Sequence, residues 1–163
     1  MNTPTVNVVV AASFLFARED YMPHSSTGVF DAGTSGNIDA AKAACRRHAV
    51  LQRAELADAS PDAAIMLASH AERIAGQYGS GVFAGYIPIH SELSPLALLK
   101  NLVALGCDLA LPITPQVGQP LRFHRWEIDG LLDEGPYGTK QPPACNDKCI
   151  PDVILAPMLA FDA

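Results

Sequence analysis

Three consecutive segments constrain this chain more than any other feature. GVFAGYI, residues 81–87, is an apolar run closed by Pro88. SPLALLKNLVALG, residues 94–106, has apolar residues at helical spacing, with Leu96, Leu99, Val103 and Leu105 giving roughly one face and Gly106 a natural stop. CDLALPI, residues 107–113, is a second buried-type run. Strand, helix and strand in so short a span make a βαβ unit, whose crossover is right-handed and whose strands are parallel. The spacing therefore predicts an α/β protein.

The flanking sequence extends that pattern. From Asp39, AAKAACRRHAVLQRAEL carries strong helix formers, and SPDAAIMLASHAERIA opens with Ser60 as N-cap, Pro61 at the first helical position and Asp62 in the first turn. LRFHRWEI, residues 121–128, reads as a third strand, and the alternation of Leu121 and Phe123 against His124-Arg125 turns one side to solvent. PDVILAP, residues 151–157, is the fourth. The expected architecture is an α/β sandwich, helices layered on a mainly parallel sheet, without internal repeats.

Residues 1–38 stand apart. VNVVVAASFLF, residues 6–16, is too short for the roughly 20 residues of a membrane span. MNTPT ahead of it lacks the positive charge of a signal peptide. YMPHSSTGVFDAGTSGN then has no periodicity and reads as loop. The expected division is a detachable extension over residues 1–38, loop or disordered, and a single domain over residues 39–163; the run at 6–16 also suits an added strand.

A net charge of −6 in 163 residues excludes broad phosphate-backbone binding, so nucleic acid is not an expected partner, nor is a membrane. Cys45, Cys107, Cys145 and Cys149 have no secreted-scaffold spacing and fit a reducing cytoplasm. Cys145 and Cys149 read as loop thiols, not a zinc site, because no histidine stands at finger spacing.

The chain has no GxxxxGK[ST], GxSxG, HExxH or GxGxxG. What remains is position. The loop after the first confident strand holds Tyr86, Ile87, Pro88, His90 and Glu92 at the carboxyl end, where α/β folds build sites. Glu92 suits either hydrogen bonding to a heterocycle or the opening of the next helix. Lys42 and Arg46, one turn apart, suit either a polyphosphate clamp or a solvated face. His48, His70 and His124 are scattered, and Trp126 reads as core.

Taken in order, these pieces resemble the 5-formyltetrahydrofolate cyclo-ligase (methenyltetrahydrofolate synthetase) family. KAACRRHAVLQR is similar to its opening basic helix, YIPIHSE to its Y-x-P-x-x-x-E loop, and Leu111-Pro112 to the LP that ends a strand. LRFHRW, the turn GPYGTKQP from Gly135 to Pro142, and DVILAPMLAFD complete the series over residues 39–162. Residues 1–38 match nothing in the family.

The resemblance implies a three-layer α/β/α sandwich of the NagB/RpiA/CoA transferase-like type. It also implies ATP-driven closure of 5-formyltetrahydrofolate to 5,10-methenyltetrahydrofolate in one-carbon metabolism. The formyl oxygen is phosphorylated and N10 then displaces phosphate, with magnesium shielding the charge. By the same resemblance Lys42 and Arg46 hold ATP phosphates. Ile87 and Glu92 line the folate pocket, with Glu92 the catalytic residue near the reacting nitrogens, and Tyr137 walls the pterin. Arg53, further along the same basic helix, is the third basic residue that the resemblance matches. A monomer is expected.

Family members continue past the F-D turn into a loop of the form RLGxGxGxYDR, then a helix and a strand. This chain reads Phe161-Asp162-Ala163 there. The expectation is a domain without its C-terminal elements, with an open sheet edge prone to association, no metal-holding acid and no turnover by itself. The alternative to a cyclo-ligase is thus a non-catalytic folate-binding fragment.

Overall fold

The computed structural model describes residues 7–11 and 35–160, with side chains from residue 38 onward. Its elements are β1 (Asn7–Ala11), α1 (Ser35–Ala59), α2 (Ala63–Ala68), α3 (Ala71–Tyr78), β2 (Val82–Ala84), α4 (Leu96–Ala104), β3 (Asp108–Ile113) and β4 (Arg122–Arg125). There follow β5 (Asp133–Glu134), a 3-10 turn (Pro136–Gly138), β6 (Lys140–Gln141), β7 (Lys148–Cys149) and β8 (Val153–Pro157).

The βαβ unit forms as its apolar runs require: β2 and β3 are parallel neighbours, with Phe83 beside Leu109, and α4 connects them. The main sheet runs β1-β8-β2-β3-β4-β7. Pairing is parallel from β1 to β3, whereas β4 and β7 are added antiparallel. The α/β class and the mainly parallel sheet therefore hold.

One core sits between α4 and the sheet. Phe83, Leu111 and Val153 from the strands meet Leu98, Leu99 and Leu102 from the helix, all fully buried. Each such side chain contributes about 1.5–3 kcal/mol relative to exposure. The helix face differs from the expected one, since Leu96, Val103 and Leu105 are 37%, 44% and 41% exposed. LALLKNLVA is apolar nearly all round, so spacing admits two stripes and contact with the sheet selects one. Helices α2 and α3 pack against α4.

The segment expected as one helix from Ser60 is two. Ser69 Oγ donates to the Met66 carbonyl at 2.7 Å and His70 N to the Leu67 carbonyl at 3.1 Å, which tightens the turn and ends α2. The Ala68 carbonyl is instead taken by Asn101 Nδ2 of α4 at 3.1 Å. The third strand also faces otherwise than expected: His124 pairs with Leu111 and is buried, while Leu121 and Arg125 are exposed. Among the described residues the buried His124 Nδ1 has no hydrogen-bond partner.

At the other side of the sheet, β1 runs parallel to β8 with Val9 beside Leu155. β8 is thereby an inner strand, and β1 forms the edge of the sheet on this side. The extension expected over residues 1–38 thus contributes a strand at 7–11 and the start of α1 from Ser35; residues 1–6 and 12–34 lie outside the described residues. The β-branched Val8, Val9 and Val10 favour a strand, and β8 offers it an edge for parallel pairing.

Candidate functional site

The loop between β2 and α4 leaves the carboxyl end of a parallel strand, and it is held close to the body. Gly85 N donates to the Ala110 carbonyl at 2.9 Å, carrying the sheet pattern one residue beyond β2. A Cβ on Gly85 would lie 2.5 Å from Leu99 Cδ1, so any larger residue there would displace the buried Leu99 side chain. That close approach brings the loop down onto the first turns of α4.

Beyond Gly85 the chain folds back on itself. Tyr86 is 7% exposed and its hydroxyl donates to the Leu93 carbonyl at 2.6 Å, which bridges the loop. Ile89 N donates to Glu92 Oε2 at 3.0 Å and Glu92 N donates to the Ile89 carbonyl at 3.1 Å, a reciprocal clasp that sets the carboxylate. His90, at the tip, adopts a left-handed φ of 52°, which a non-glycine residue takes up only where its surroundings hold it.

A buried cation from another element completes the arrangement. Arg53 of α1 is 8% exposed; its Nε donates to Ser91 Oγ at 3.1 Å, and its guanidinium lies 3.7 Å from Glu92 Oε1. Burial pushes the Tyr86 phenol well above its ordinary range, the Glu92 carboxylate adds to the effect, and Arg53 opposes it. The Tyr86 hydroxyl thus remains a donor at neutral pH. Beside this loop a small cleft of about 160 Å³ is lined by Leu56, Ser60, Ala64, Ser91, Glu92 and Ser94.

The other predicted site residues fall elsewhere. Ile87, next to Tyr86 in the chain, faces a separate apolar cleft of about 340 Å³ with Leu96, Lys100, Trp126 and Leu132. Lys42 and Arg46 are exposed on α1, on the same side of the helix as Arg53 by their spacing. Tyr137 is 85% exposed with a φ of 62° at the tip of the β5/β6 hairpin. That hairpin docks at the carboxyl end of β3, where Thr114 N donates to Gln141 Oε1 at 3.2 Å and the Thr114 and Thr139 hydroxyls are 3.3 Å apart. The β2 loop leaves the carboxyl end of β2, and the hairpin docks at the carboxyl end of the neighbouring β3, the end at which α/β sheets bind ligands. The described contacts bring Glu92 together with Arg53, not with Ile87 or Tyr137.

A cleft of about 910 Å³ lies at the opposite end of β3 and includes Cys107, Asp108, Arg125, Cys145 and Asp147. Asp108 and Arg125 form an ion pair there. Burial, then the Asp108 carboxylate, raises the Cys107 thiol; burial also raises Cys149, against the pull of Arg125. Both shifts run against thiolate formation. Among the described residues no group of three or more His, Cys, Asp or Glu is arranged to hold a metal ion. No described helix is long and apolar enough to cross a membrane.

Sequence reasoning undervalued Arg53 and passed over Ser91 and the Tyr86 hydroxyl. Arg53 had a legible signal, since it follows Arg46 by seven residues and so returns to the same helix face. Ser91 had none, because a lone serine in a loop carries no pattern.

Comparison with known proteins adds one finding. No family model matches the chain, and no curated protein matches it either. Among solved structures, the NMR structure of Aquifex aeolicus 5,10-methenyltetrahydrofolate synthetase is similar, with a TM-score of 0.59 and 23% identity over 74% of this chain. The match covers 62% of that protein's length. At this level of identity the two share a fold.

Proposed function

We propose that this chain is a folate-binding domain of the 5-formyltetrahydrofolate cyclo-ligase type, acting in ATP-dependent formation of 5,10-methenyltetrahydrofolate. The observation that carries the reading is Glu92, a carboxylate fixed by a backbone N–H and a buried arginine at the carboxyl end of β2, in a fold shared with a methenyltetrahydrofolate synthetase. The ordered series of sequence motifs over residues 39–162 supports it independently.

In this reading Glu92 accepts hydrogen bonds from the N–H groups of the reduced pterin and orients the nitrogen that attacks the activated formyl carbon. Its orientation is set before the ligand arrives, which lowers the ordering cost of binding. Lys42 and Arg46, exposed on one face of α1, neutralise the charge of ATP phosphates. ATP supplies the phosphoryl group that makes the formyl oxygen a leaving group. The described residues offer no magnesium ligands as a set, so no step is assigned to the metal. In this reading Tyr137 reaches the pterin by closure of the hairpin over the preset loop that carries Ile87.

The test is binding followed by turnover. Titration of 5-formyltetrahydrofolate by calorimetry is expected to show saturable binding that Glu92→Ala removes, and absorbance with ATP and magnesium follows methenyltetrahydrofolate. Binding with turnover supports the cyclo-ligase, and binding without turnover supports a folate-binding fragment. Absence of binding overturns both.

A further inference from the structure

Arg53 occupies an unusual position on α1. Lys42, Arg46 and Arg53 lie at spacings of four and seven residues, which places them within about 40° of one another around the helix axis. Two of the three are exposed, yet Arg53 is 8% exposed. Taking a guanidinium out of water is unfavourable unless its donors are satisfied by defined partners. The partners are Ser91 Oγ, 3.1 Å from Nε, and Glu92 Oε1, 3.7 Å from the terminal nitrogen.

The two oxygens of Glu92 thus have different sources of support. Oε2 is held from within its own turn by Ile89 N–H, and Oε1 faces a cation brought in by α1. With the internal contact alone the carboxylate can still pivot about that single bond. The guanidinium also grips the neighbouring Ser91, so helix and loop are joined at two consecutive residues.

We propose that Arg53 is a positioning residue, which touches neither nucleotide nor folate and acts by locking the 88–94 turn and the Glu92 carboxylate into a binding-ready orientation. The lock is a property of the geometry; only its consequence for folate affinity rests on the function proposed above. A planar fork is required, because one donor must reach Ser91 while another faces Glu92. Lysine carries its donors on a single nitrogen, which cannot occupy both the Nε and the terminal-nitrogen positions.

Two measurements test this on the full chain. Hydrogen exchange of the Ile89 and Glu92 amides is expected to accelerate at least tenfold in Arg53→Gln and in Arg53→Lys, with β3 and α4 amides unchanged. Ser91→Ala, a milder change that keeps the ion pair, is expected to accelerate them by a smaller factor. Unchanged exchange in all three variants, or full restoration by lysine, overturns the proposal. Calorimetric titration with 5-formyltetrahydrofolate then reads the consequence: Arg53→Gln is expected to weaken binding roughly tenfold in the parent chain and to have no further effect in a Glu92→Gln background. Equal losses in both backgrounds overturn the positioning role. Accelerated exchange in a parent chain that binds no folate upholds the lock and instead removes the proposed function.

Discussion

The loop around Glu92 leaves the carboxyl end of β2 and the hairpin around Tyr137 docks at the same end of β3, and each bends through a non-glycine residue with positive φ, His90 at 52° and Tyr137 at 62°. They differ in what holds them. The Glu92 loop is tied by the buried Tyr86 hydroxyl, by its own clasp and by Arg53. The hairpin is fastened at its base by Thr114, Thr139 and Gln141 and leaves its aromatic tip 85% exposed. Orientation in the first region is set by the fold, whereas in the second only the place of attachment is. A site made from both has one rigid wall and one adaptable wall, and substitutions should separate the two.

The largest effect is expected from Glu92→Ala. It removes the partner of a buried arginine and the acceptor of Ile89 N–H, so a loss of about 3 kcal/mol is expected, read as a fall in thermal midpoint of roughly 6–12 °C for a domain of this size. Folate affinity should fall at least 100-fold. A variant with unchanged midpoint would show that the loop is held without its carboxylate, which breaks the contrast with the hairpin.

Gly85→Ala comes next. The new methyl group meets Leu99, and overpacking of this kind costs about 1–3 kcal/mol. In the double variant with Leu99→Ala the two losses should sum to less than their separate values, because the second change removes the clash. Additive losses in chemical denaturation would show that the loop is not seated on α4.

Tyr86→Phe is expected to cost about 1 kcal/mol through the bond to the Leu93 carbonyl. It should also change the pH profile. Because the folded-state pKa of Tyr86 is raised, its contribution is fully present below about pH 10, the ordinary tyrosine value, and is lost as pH rises through the higher folded value. Stability of the parent chain should therefore fall more steeply above pH 10 than that of Tyr86→Phe. Parallel profiles from denaturation at several alkaline pH values would mean that Tyr86 ionises as freely as an exposed tyrosine.

The smallest effect belongs to the hairpin. Tyr137→Ala should change stability by less than about 0.5 kcal/mol, since the side chain is exposed and without described contacts. Folate affinity should nevertheless fall several-fold if the ring closes on the pterin. A large drop in midpoint would place Tyr137 among the structural residues and erase the difference between the two regions.

The main architecture was legible because it rests on local periodicity. Apolar runs of strand length on either side of a helical repeat specify β2, α4 and β3 wherever the rest of the chain lies, and the right-handed crossover then makes the strands parallel. The loop carrying Glu92 was legible for the same reason, since it must follow β2. What periodicity left open was the choice between faces. In α4 both Leu96/Val103 and Leu98/Leu102 are stripes at helical spacing, and only contact with the sheet buries the second. In β4 the pairing of Leu111 with His124 turns a histidine inward that composition would place outside. The assignment of β1 to the edge of β8 joins residues more than 140 positions apart, for instance Val8 and Ile154, and no local pattern encodes such a pairing. Arg53 shows the same division at the site. Its place on the basic face of α1 is written in the spacing, but its burial, and the grip on Ser91 and Glu92 that follows, exist only because the fold brings α1 against the β2 loop. Local order depends on neighbours in the chain, while the partners of a buried charge depend on neighbours in space.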